Sequence, residues 1–72
     1  MTPEQRAYLR ARRLSHEAGL KRATLPPGSS RARVTSANAR WDCLAAERNR
    51  LAALLTPEQV AEADAAEPLS RG

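Results

Sequence analysis

Seventy-two residues with a formal net charge of +4 make one small domain, and a chain of this size needs a helper to complete its core. Cys43 is the only cysteine, so no disulfide forms within the monomer, and His16 and Cys43 are too few soft ligands for a structural zinc site. There is no run of 18 apolar residues to span a membrane.

The expected helper is therefore a partner subunit or a docked protein, with no cofactor and no metal. With no Phe, no Ile, one Trp and one Tyr, the core is expected to be thin. The abundance of Ala, the best helix former, points to an all-α fold. The N-terminal residues lack the apolar stretch of a secretory signal, and a cytoplasmic, reduced setting is the expectation. Charge is uneven. Residues 1–33 hold eight Lys/Arg against Glu4 and Glu17, whereas residues 34–72 hold four Arg against six acids. A basic half beside an acidic half suits either an anionic partner or attraction between the halves.

Thr2-Pro3-Glu4-Gln5 reads as a helix start. Threonine caps, proline fits the first helical position, and Gln5 completes a capping box. The pattern predicts helix 1 over about 3–18, with Gly19 as its stop. At 100° per residue Ala7, Ala11, Leu14 and Ala18 share one face with Tyr8 at its edge. Arg6, Arg10, Arg13 and Glu17 lie opposite, and Leu9 is stranded on the charged side.

The stretch Leu14-Ser15-His16-Glu17-Ala18-Gly19-Leu20-Lys21-Arg22-Ala23-Thr24-Leu25 resembles the helix–turn–helix of bacterial repressors. Gly19 stands at the turn, Leu20 and Leu25 at the apolar positions, and the resemblance implies that Lys21, Arg22 and Thr24 face DNA. Pro26-Pro27 departs from that pattern, cutting a recognition helix after about one turn. The other reading of Gly19 is a plain helix C-cap. Pro27-Gly28 suits the centre of a type II turn, and Ser29 or Ser30 can cap the next helix.

The second helix, predicted over about 30–55, carries the strongest pattern. Val34, Ala37, Trp41, Leu44, Arg48, Leu51 and Leu55 are spaced alternately by three and four residues, a heptad seam of coiled-coil type with Arg48 as its polar member. Arg48 either lays its stem along the edge with its head in water or fixes register. At roughly 39 Å the helix outreaches helix 1, which predicts that part of the seam meets something else. Cys43, two residues past a seam position, is expected to face outward or sideways.

Thr56-Pro57-Glu58-Gln59 repeats the opening tetrapeptide as a second capping box. Here Leu55 before the cap and Val60 after it form a hydrophobic staple, which Met1 and Arg6 do not. The residues after the two copies share no pattern, so they are local punctuation and not an internal repeat. The staple predicts that Thr56 matters more to the fold than Thr2. A short acidic third helix over about 57–67 follows, Pro68 ends it, and 68–72 form a tail. The architecture expected is a helical hairpin with a short third helix, one domain over residues 1–67.

His16 and Glu17 are adjacent and point about 100° apart, so they make no acid–base pair. There is no Ser–His pair and no phosphate-cradling glycine loop. The expectation is a non-enzymatic regulator or adaptor without a small-molecule substrate, of a size and composition that would suit a phage or mobile-element accessory protein. It would bind a protein partner or a second copy as a homodimer through Val34, Trp41, Leu44, Arg48, Leu51 and Leu55. The alternative is a nucleic-acid-binding regulator using Arg6, Arg10, Arg13, Lys21, Arg22, Arg31 and Arg33 to neutralise phosphates. Tyr8 and Trp41 offer few stacking surfaces for it.

Overall fold

The computed structural model describes residues 1–68, and the expected tail from Leu69 onward lies outside them. Among the described residues three helices run in order: α1 over Pro3–Ala23, α2 over Arg31–Ala53 and α3 over Pro57–Ala66. α1 and α2 form the hairpin, and α3 folds back against α1.

The helix starts are those the local chemistry dictates. Thr2 and Thr56 each accept from the backbone N–H three residues on, while Gln5 and Gln59 accept from the cap N–H groups. Both capping boxes are complete. They also meet in space, because the Gln5 amide Nε2 donates to the Gln59 carbonyl at 3.0 Å. Gln5 is buried and Thr2 half-buried, whereas Thr56 is exposed. The first box is thus the one built into the interior, joined to the second through Gln5, whereas the second carries the Leu55–Val60 staple.

α1 passes straight through Gly19 and stops four residues later at Ala23. Thr24 closes it, with its N–H and hydroxyl both bonded to the Leu20 carbonyl. The proline after Leu25 is the physical stop, because it drives the residue before it out of helical backbone. Gly19 is therefore neither a C-cap nor the turn of a helix–turn–helix, and that resemblance fails. Its role is close packing. A Cβ added there would lie 3.1 Å from Trp41 Nε1 and 3.3 Å from Cδ1, so the absent side chain lets α2 bring its indole onto the α1 backbone. The connection is a tight turn with Gly28 at φ 83° and the Ser29 N–H bonded to the Pro26 carbonyl, as a type II turn requires. Ser30 then caps α2 by accepting from Arg33 N–H.

The extension also removes the expected overhang. α1 has 21 residues and α2 has 23, so the two helices match in length. What α2 lacks is coverage from the side: none of its residues is fully buried. With principal extents of 43 × 22 × 16 Å the molecule is about two helix diameters wide and one and a half thick.

The core sits where α3 covers the hairpin. Tyr8, Leu9 and Ala63 are buried together, with Leu51, Ala52, Leu55 and Val60 packed around them. Leu55 and Val60 thus enter the interior as the staple requires. Leu9, expected to be stranded, is only 6 % exposed, while Ala7 on the supposed inner face is exposed. The reason is that α1 is covered on two sides. α2 meets α1 at Gly19 through Trp41, and α3 covers the side carrying Gln5, Leu9 and Arg12. Asp64 Oδ1 accepts from Tyr8 Oη at 2.9 Å and from Arg12 Nη1 at 2.7 Å, and Arg13 pairs with Glu67 at 3.2 Å.

Candidate functional site

The flank of the hairpin away from α3 carries an open groove of about 510 Å³. Ala7, Ala11 and Leu14 line it from α1, and Leu44 and Leu51 from α2; Arg6, Arg10 and Glu47 line it too. Ala11 is buried and forms the floor, whereas Leu14, Leu44 and Leu51 are half-exposed. These three leucines are only partly buried, so further burial of each is still available, at roughly 25 cal/mol per Å².

The charges around the groove differ in how they are satisfied. Glu47 accepts from Arg50 one turn on, and this contact holds its carboxyl below the usual carboxylate range. Arg6 and Arg10 have no acidic partner among the described residues. One flank away, Arg12 and Arg13 are matched by α3 acids.

The residues expected to form a protein-binding seam divide among different surroundings. Leu44 and Leu51 line the groove, and Leu51 also backs the core. Leu55 belongs to the core edge. Trp41 is half-buried against Gly19, with the Arg22 guanidinium stacked 4.4 Å from its ring centroid. Arg48 follows the edge-lying reading: half-exposed, it donates only to the neighbouring Asn49 side chain. Val34 is exposed and contributes nothing to the groove. Cys43 is exposed.

The residues of the nucleic-acid alternative are split as well. Arg13 is tied to Glu67, and Arg6 and Arg10 belong to the groove. Lys21 and Arg22 lie in the last turn of α1, and Arg31 and Arg33 in the first turn of α2, on either side of the hairpin tip. Arg22 is engaged there by Trp41 and by Asn38, the latter at 3.4 Å.

The α1 contribution to the groove was visible in the sequence as the Ala7–Ala11–Leu14 face, but nothing local marks that face as the one left uncovered. Among the described residues no cluster of His, Cys, Asp and Glu suits a metal ion, and no helix is long and apolar enough to cross a membrane. No protein-family model, curated protein or solved structure matches this chain.

Proposed function

We propose that the chain is a non-enzymatic helical adaptor that receives a protein helix in the groove between α1 and α2, with a second copy of the same hairpin as its occupant. The observation that carries this is the half-exposed leucine set Leu14, Leu44 and Leu51 over an alanine floor, in a chain whose buried apolar core is Tyr8, Leu9 and three alanines. Two hairpins joined groove to groove make a four-helix bundle, the simplest way for such a layer to close its interior. Seating an apolar helix stripe in a groove is also a recurrent mode of protein recognition. A two-fold arrangement with α1 of one copy over α2 of the other brings Arg6 and Arg10 toward the rim that carries Glu47.

Light scattering over a concentration series tests this. The expected mass is twice 7.9 kDa, falling to the monomer in Leu44→Asp with helical circular dichroism retained. A chain that stays monomeric at every concentration, or a Leu44→Asp variant that still doubles its mass, would overturn the reading.

A second reading rests on the hairpin tip. α2 starts with Arg31 and Arg33 and has no acid in its first turn, so positive charge sits at the positive end of the helix dipole. Together with Lys21 this arrangement favours a polyanion such as a nucleic-acid backbone. Arg31→Gln with Arg33→Gln should then abolish a salt-sensitive mobility shift without altering the fold. No shift at low salt in the unaltered chain would remove this reading.

A further inference from the structure

On the opposite side of α1 from the groove lies a smaller pocket of about 210 Å³ between α1 and α2, lined by Arg12, Ser15, His16, Gly19, Trp41 and Arg48 among others. Among the described residues it shares none with the groove. No carboxylate among the described residues lines it.

Arg12 is the unusual member. It is 8 % exposed, and its Nη1 is used by Asp64. Its Nε and Nη2 are buried with no hydrogen-bond partner. Buried donors are nearly always bonded, and orphaned ones in a folded chain call for a missing acceptor. These two N–H groups are not scattered. They form one edge of the planar guanidinium, the pair of parallel donors that fits two oxygens of a carboxylate or phosphate. One carboxylate, Asp64, thus occupies one corner of the fork and leaves the bidentate edge empty.

A second cation stands in the same wall. Arg48 gives both of its hydrogen bonds to the neutral amide of Asn49, and it has no acidic partner among the described residues. Trp41 adds an indole N–H at Nε1, beside Gly19. Two guanidinium groups and an indole donor, with no acid among the described residues that line the cavity, make an environment complementary to an oxyanion.

We propose that this pocket takes a single phosphate group, gripped by the Nε–Nη2 edge of Arg12 and by the guanidinium of Arg48. The Arg12 donors are buried in the free chain, so entry of the anion requires the side chains around them to rearrange. A larger molecule would present its phosphate there and keep the remainder outside. The site is independent of the self-association reading, which it survives if that reading fails.

The test is a titration of the whole chain with inorganic phosphate and, separately, with O-phosphoserine, each against chloride at matched ionic strength. The readouts are the Arg12 Nε–H resonance and the melting temperature. The expected result is a saturable shift of that resonance and a rise in melting temperature on the order of 5 °C at tenfold excess over Kd. Arg48→Gln should weaken phosphate binding at least about tenfold while leaving the ligand-free melt unchanged, and Arg48→Lys should recover part of it. Binding of both probes identifies a phosphate carried on a larger molecule; binding of inorganic phosphate alone identifies a free anion. An unmoved Arg12 resonance, or an Arg48→Gln variant that binds as the unaltered chain does, would overturn the proposal. Arg12→Gln is a poor substitute, since it also removes the ion pair with Asp64.

Discussion

The two flanks of the hairpin are built from the same pair of helices and end in opposite states. On one, α3 lies over Leu9 and Tyr8, and its acids Asp64 and Glu67 meet Arg12 and Arg13. On the other, Arg6 and Arg10 find no acid among the described residues, and Leu14, Leu44 and Leu51 keep one side open. The difference does not lie in apolar content, since both flanks offer leucine and alanine. It lies in whether a segment of the chain brings complementary charge to the arginines beside the apolar stripe.

The largest effect should come from truncating one leucine on each flank. Leu9→Ala should cost about 2–4 kcal/mol in urea unfolding, a large part of the stability of a domain this size. Leu14→Ala, measured at the lowest workable concentration, should cost about 1 kcal/mol or less because its side chain leaves only partial contacts. Equal losses would erase the distinction between the flanks. Next in size is the helix–helix contact that both flanks share. Gly19→Val should lose about 1–2 kcal/mol by forcing Trp41 away, beyond any gain in helix propensity. An unchanged melting temperature would show that the indole moves freely.

The covered flank also carries a pH signature. Burial first, and then the hydrogen bond to the Asp64 carboxylate, raise the Tyr8 hydroxyl above its ordinary value of 10.0. The fold thus prefers the neutral phenol. Its contribution is complete below the unfolded value and is lost as pH rises through the folded one. Tyr8→Phe should cost about 1 kcal/mol at neutral pH and flatten the loss of stability above pH about 10. Parallel alkaline melts for the variant and the unaltered chain would contradict this. The smallest effect separates the two capping boxes. Each Thr→Ala should cost about 1 kcal/mol, with Thr2 the larger by a few tenths because its box is the buried one. A larger loss at Thr56 would mean that the second box governs the α3 corner after all.

What could be read from the residues alone were the features settled within one turn. Thr2 with Gln5, Thr56 with Gln59, Ser30, and Pro27-Gly28 need no knowledge of the rest of the chain, and all stand as their chemistry predicts. The hairpin with its short third helix followed from the same signals. Leu9 and Gly19 were misread for one shared reason. A helical wheel assumes a single buried face, and α1 has two neighbours, one contacting it through a residue with no side chain. Nothing in the sequence near Arg12 singles it out, because Asp64, which closes over it, lies 52 residues on. The groove inherits that uncertainty: its residues were visible, but which flank α3 would choose was not.

The placement of Tyr8 and Trp41 has a practical corollary. The chain has one tyrosine and one tryptophan, Tyr8 within α1 and Trp41 on α2 where it packs against a different part of α1. Tyr8 reports from beneath α3, bonded to Asp64. Trp41 reports from the α1–α2 contact at Gly19, under a guanidinium. Intrinsic ultraviolet spectroscopy of the unlabelled protein therefore tracks the two junctions through separate chromophores. Coincident transitions would mark α3 and the hairpin as one cooperative unit; an earlier tyrosine transition would show α3 peeling off first.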